Sequence, residues 1–176
     1  MKVTGKIYKV IQWSSGNVGK ASIRGICNRS DLELVGLIVS DEKKNGLDAG
    51  TISGIDEIGV LASTNIEEVL SIEADCVNYT PLASLRLGDD PDADKKNILF
   101  FLRKGFNVVT TVGFLYPKAF GEDFEKEIED ACLEGGSSLH GTGIAPGWLS
   151  DLVPLTMSGM SEEISEVRVT ESSEFS

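Results

Sequence analysis

The apolar run Tyr8-Lys9-Val10-Ile11-Gln12-Trp13 passes directly into Ser14-Ser15-Gly16-Asn17-Val18-Gly19, and no other stretch of the chain limits the fold as strongly. A short apolar run followed by small residues predicts a buried strand, a tight turn and then a helix. The predicted helix covers Asn17 to Asn28, with Val18, Ala21, Ile23, Ile26 and Cys27 as its apolar members. The first turn of a helix carries backbone N–H groups with no intrahelical partner, and the helix dipole adds partial positive charge at that end. Glycine there admits a ligand that a Cβ would exclude. These features make a seat for phosphate, and their spacing approximates the dinucleotide fingerprint G-x-G-x-x-G. Gly16 and Gly19 occupy its second and third glycine positions. Ser14 stands at the first, where a serine makes the turn if its φ is negative.

A second strand is predicted over Leu32 to Val39, with Asp41 just past its end. That is about where an acidic residue binds the ribose hydroxyls of a dinucleotide, and Ser40 is the alternative for the same place. Lys43 and Lys44 would neutralise a 2′-phosphate, or they are solvated loop charges. The residues therefore imply NAD or NADP without choosing between them. Ser14, Ser15, Gly16, Asn17, Val18 and Gly19 are the expected diphosphate contacts. A glycine turn with no ligand is the competing reading, and the order strand, turn, helix, strand, acid speaks against it.

Strands and helices alternate through the rest of the chain. A loop is predicted over Asp41 to Gly59, a short strand over Gly59 to Leu61, and a helix to Leu70 capped by Thr64 with Glu67 completing a capping box. The strand Asp75 to Thr80 ends at Pro81. The polar stretch Ser84 to Asp94, with Gly88 and Pro91, reads as a loop. A helix follows over Asp92 to Lys104, facing Ile98, Leu99, Phe101 and Leu102 inward and stopped by Gly105. Then come a strand over Phe106 to Val112, a helix over Glu122 to Glu134, a strand over Ser137 to His140 and a helix over Trp148 to Met157. Alternation over Ile164 to Thr170 predicts a final half-buried strand. The expected architecture is α/β, a doubly wound parallel sheet of Rossmann type. Ligands in such sheets bind beyond the carboxyl ends of the strands, which adds Tyr79, Thr80, Pro81, Thr111 and Gly113 to the candidate contacts.

The net charge of −12 disfavours nucleic acid and anionic membrane as partners. It also requires that an anionic cofactor be held by local backbone donors rather than by the overall field. Cys27, Cys76 and Cys132 lack ligand spacing and read as buried reduced thiols, and no metal site is evident. With no signal peptide and no apolar stretch near the ~20 residues of a membrane span, the expected location is cytoplasmic. Neither Tyr79 nor Tyr116 is followed four residues on by lysine, which sets aside a Tyr-x-x-x-Lys dehydrogenase.

Tyr8 to Gly19, Leu34-Val35-Gly36-Leu37-Ile38-Val39-Ser40, Ala74 to Pro81 and His140-Gly141-Thr142-Gly143-Ile144-Ala145-Pro146-Gly147-Trp148 together resemble the dihydrodipicolinate-reductase-like NAD(P)-dependent amine dehydrogenases, the group that includes 2,4-diaminopentanoate dehydrogenase. The paired histidines of true dihydrodipicolinate reductases are absent. The resemblance implies a Rossmann domain over residues 1–150. Residues 151–176 would then hold a connecting helix and the first strand of an incomplete second α/β domain, which in the family completes the substrate pocket and usually the dimer. It implies NAD(P)-dependent hydride transfer at a C–N bond of a small amine, imine or amino acid, and a homo-oligomer in the full-length form. A non-catalytic dinucleotide-binding module, or a truncated paralogue, is the alternative. On this resemblance Tyr79-Thr80-Pro81 lies along the nicotinamide side. Thr142, Gly143, Pro146 and Gly147 shape a substrate loop, and the helix start at Pro146-Gly147 would offer N–H groups to a substrate carboxylate. His140, the single histidine, is either structural or a proton carrier at the amine nitrogen.

Overall fold

Strand β1 (Tyr8–Trp13) is the axis of the sheet because its apolar residues are buried from both sides. It pairs in parallel with β2 (Leu32–Ile38) on one flank and with β4 (Cys76–Tyr79) on the other. Strand β3 (Ala62–Ser63) extends the sheet beyond β2, while β5 (Asn107–Thr110) and β6 (Leu139–Gly141) extend it beyond β4. The order is β3-β2-β1-β4-β5-β6 and every pairing is parallel. This is the doubly wound arrangement expected from the sequence, and its strand order reverses between β1 and β4. The computed structural model describes residues 5–84 and 90–172; Gly88 of the expected 84–94 loop and both chain ends lie outside them.

Helices cover the two faces. Helix α1 (Asn17–Cys27) presses Ile23 and Ile26 onto Val10, Leu34 and Leu37, with α2 (Ala49–Ser53) adding Ala49 to the same core. On the other face α3 (Ile66–Leu70), α4 (Ala93–Arg103) and α5 (Glu122–Gly135) pack over Ile11, Val77 and Val108. Ile98, Leu99, Phe101 and Leu102 of α4 are all buried, as their spacing predicts. Helix α6 (Val153–Ser158) follows a kinked helical segment, Ile144–Leu152, whose backbone is non-helical from Ala145 to Gly147.

Four expectations are corrected. The span Asp41 to Gly59 is not all loop: it contains a 3₁₀ turn, Glu42–Lys44, and α2. The Asp48 carboxylate organises it, accepting from the amides of Gly50 (2.7 Å), Ile58 (3.1 Å) and Gly59 (2.8 Å). Burial drives the Asp48 pKa upward, but those backbone N–H bonds outweigh it and hold the carboxyl below its ordinary range. The cap of α3 is Asn65, whose side chain accepts from the Glu68 amide, while the Thr64 N–H donates to Asn45 Oδ1. Residues Ile164 to Thr170 form no strand and are exposed; alternation alone supplies no neighbouring backbone to bond. Finally, Cys27 is exposed rather than buried. Burial pushes the Cys76 thiol up to about 11, which leaves it a poor nucleophile.

Candidate functional site

The turn between β1 and α1 is built by close contacts that a larger residue would break. Ser14 has φ +80°, not the negative value expected of a serine there, and it is the one non-glycine residue with positive φ among the described residues. Its amide donates to the Ile38 carbonyl at 2.9 Å, tying the turn to β2. Its carbonyl lies under α1: a Cβ on Gly19 would fall 2.1 Å from that oxygen. Gly19 therefore lets the helix sit down on the turn. Gly16 is different. It caps α1 with extended backbone, and a Cβ there would meet nothing nearer than Ser14 Oγ at 3.8 Å, so the vacant side faces the open groove. Gly16, Asn17 and Val18 are exposed. The first amide of α1 to find a helical partner is that of Lys20, which bonds Gly16 O at 2.9 Å. Among the described residues the amides of Asn17, Val18 and Gly19 have no acceptor, and no acidic side chain occupies the first turn. Free donors, an open approach at Gly16 and a positive dipole end fit a diphosphate.

A groove of about 630 Å³ opens in front of this turn, between the loops that follow β1, β2, β3 and β4. Trp13, Ser14, Ser15 and Gly16 form its floor. The end of β2 and its loop contribute Ile38, Val39, Ser40, Asp41, Glu42 and Lys44; Thr64 and Ile66 come from beyond β3, and Pro81 and Leu82 from beyond β4. Six predicted contacts, Ser14, Ser15, Gly16, Ser40, Asp41 and Pro81, thus meet in one place. The Asp41 Oδ1 atom accepts from the Lys43 amide at 3.0 Å, capping the 3₁₀ turn. The ammonium of Lys44 reaches back to donate to Ser15 Oγ at 3.1 Å, the one cation lining the groove among the described residues. The sequence marks Lys44 as a partner for a 2′-phosphate or a solvated loop charge but does not reveal this contact, since 29 residues separate the partners. Leu82 belongs to the Tyr79 to Leu82 loop expected at the ligand-binding rim, whereas Thr64 and Ile66 were not expected in the groove.

The remaining candidates are placed elsewhere. The Tyr79 ring turns into the core against Trp13 and Phe101, with centroids 5.5 and 6.0 Å away. Its hydroxyl donates to Asp94 Oδ1 at 2.8 Å and accepts from Asn97 Nδ2 at 3.0 Å. Burial pushes that hydroxyl well above the ordinary phenol range, so the side chain is a packing element and not a groove residue. Thr80 is buried too, 2.8 Å from Gln12 Nε2. Thr111 and Gly113 stand past the end of β5, beside the end of β4 but outside the groove lining; the Thr111 amide donates to Tyr79 O. His140 is exposed on the edge strand β6, in register with Val109, and borders a separate hollow with Phe114 and Cys132.

The loop after β6 is anchored by Thr142 N to Thr110 O at 2.8 Å and by Trp148 N to Gly143 O at 2.9 Å. The expected free N–H at Gly147 is already used. It donates to Ser150 Oγ (2.9 Å) and Asp151 Oδ2 (3.0 Å), and the Asp151 carboxylate repels any anion approaching that helix start. A substrate carboxylate is therefore not received there. Pro146 precedes this capped start and contributes no N–H of its own.

No protein-family profile matches the chain. An amine dehydrogenase from Streptomyces virginiae is 34% identical over 171 residues, covering 94% of this chain and 46% of that protein. The 2,4-diaminopentanoate dehydrogenase of Acetoanaerobium sticklandii is 28% identical over 162 residues, covering 90% of this chain and 44% of that protein. The chain thus spans about half the length of the curated relatives it matches. Among solved structures, an amine dehydrogenase from Mycobacterium smegmatis superposes with a TM-score of 0.74 at 22% identity, covering 89% of this chain and 45% of that one. The WlbA dehydrogenase from Bordetella pertussis, solved with NADH and UDP-GlcNAcA, gives 0.60 at 17% identity over 90% of this chain and 41% of that one. By fold the chain is a Rossmann-type unit, and in sequence it is similar to the first half or so of an amine dehydrogenase and of 2,4-diaminopentanoate dehydrogenase.

Proposed function

We propose that the chain binds NAD or NADP in the groove at the head of α1 and supplies the cofactor-holding part of an oxidoreductase acting on a C–N bond. The unpartnered amides of Asn17, Val18 and Gly19, beside the open face of Gly16, carry this reading. They would hold the diphosphate, with Lys44 and Ser15 at its flank. Ser40 and Asp41 line the groove where adenosine ribose would lie, and Pro81 lines its far wall towards the nicotinamide. When bound, the nicotinamide supplies the hydride acceptor or donor. The chain's own task is to orient the cofactor and exclude water from it.

The related amine dehydrogenases support a small-molecule amine, imine or amino acid as substrate; a cytoplasmic location and a homo-oligomeric assembly complete the reading. Thr142, Gly143 and Gly147 border the substrate in this scheme. His140 enters as a proton carrier only if a second domain or subunit brings substrate to β6, because it lies away from the groove in this chain. A dinucleotide-binding module without catalysis is the second reading, favoured by the placement of His140 away from the groove.

Fluorescence titration with NADH and NADPH tests the shared claim. Saturable binding is expected, and its absence defeats both readings. Oxidation of the bound cofactor on adding imines, or keto acids with ammonia, then separates enzyme from module.

A further inference from the structure

Gln12 is 0% exposed, within a strand whose neighbours Val10 and Ile11 are buried and apolar. A primary amide in such a place must satisfy two N–H donors and a carbonyl. Its Nε2 faces three acceptors with two hydrogens: the carbonyls of Trp13 (2.9 Å) and Ser14 (3.0 Å) and Thr80 Oγ1 (2.8 Å). Its Oε1 accepts from Asn78 Nδ2 at 2.7 Å. The side chain therefore ties the end of β1 to the end of β4, beneath the turn that carries the free amides. Among the described residues no other donor reaches the Ser14 carbonyl.

That carbonyl belongs to a residue held where residues with a Cβ are disfavoured, at φ +80°. In the dinucleotide fingerprint the first glycine makes the tight turn without this strain. A serine in its place needs outside support, and the Gln12 amide is the group in position to give it. We propose that Gln12 is a positioning residue for cofactor binding: its clamp on the Trp13 and Ser14 carbonyls keeps Ser14 left-handed and so keeps the amides of Asn17, Val18 and Gly19 aimed at the diphosphate. The role rests on the cofactor reading above.

The test is a double-mutant cycle on Gln12→Met and Ser14→Gly, reading the dissociation constants of NADH and NADPH at a temperature where circular dichroism shows every variant folded. Q12M is expected to weaken binding about tenfold, the scale set by the strain it releases. Ser14 itself lines the groove, so S14G sets its own baseline, and the double variant is expected within about threefold of S14G, since a glycine no longer needs the clamp. Unchanged affinity in Q12M, or a double variant that falls as far below S14G as Q12M falls below wild type, overturns the proposal and leaves Gln12 a structural residue. Where Q12M does not fold, Q12E replaces it, keeping the acceptor for Asn78 while losing the donors. Wild-type protein that binds neither nucleotide overturns the cofactor site itself, a different result from either of these.

Discussion

Gly16 and Gly19 look equivalent in the sequence, yet the structure gives them opposite reasons for lacking a side chain. Gly19→Ala drives a methyl into the Ser14 carbonyl, 2.1 Å away, so the turn must open. Overpacking against backbone is expected to cost about 1–3 kcal/mol in urea denaturation and to abolish cofactor binding. Gly16→Ala projects into open space, with an ordinary negative φ of −69°. Its stability should stay within about 0.5 kcal/mol of wild type while NADH affinity falls. Equal destabilisation by the two changes contradicts the placement of the groove. At this scale the sequence was partly legible. The spacing of the two glycines revealed the turn, but not that Ser14 takes a positive φ, since a serine is compatible with either sign. Nor did it reveal that Gln12 supports the turn. One amide inside an apolar strand was the available signal, and a strand reading passes over it.

The segment from Asp48 to Gly59 shows how an element arises from one carboxylate. Asp48 collects three amides, caps α2 and pins the following turn, so a five-residue helix stands where composition reads as loop. Short helices lack the periodicity that betrays longer ones, which is why α1, α4 and α5 were foreseen and α2 was not. Asp48→Asn keeps the shape and weakens the acceptor, with an expected loss of about 1–2 kcal/mol in chemical denaturation. The sign with pH follows from the depressed carboxyl. Its contribution is fully present above the unfolded value of about 3.9 and disappears as pH falls through the lower folded value. Wild-type protein should lose stability across that acid window more steeply than D48N; parallel acid profiles count against the bonding described for Asp48.

The whole fold was read from alternation, because parallel strands buried on both faces leave near-continuous apolar runs that helices must separate. The site was less legible than the fold, since the groove is assembled from four loops far apart in the chain. If the groove binds cofactor only in the folded state, NADH at ~100 times its dissociation constant adds about 2.7 kcal/mol, or very roughly 5–11 °C in Tm for a domain of this size. A thermal scan without any shift rules out binding of that kind.

Among the described residues the groove carries Lys44 as its one cation beside Asp41 and Glu42, on a molecule of net charge −12. A nucleotide with negative phosphates therefore approaches uphill until it meets the α1 amides, which are dipoles and carry no net charge to be masked. Added potassium chloride shortens the reach of the repulsion, to about 8 Å at 0.15 M, while leaving short contacts nearly untouched. Association should quicken as salt rises, the reverse of what a lysine-lined pocket would show, and stopped-flow mixing at two ionic strengths is enough to see it.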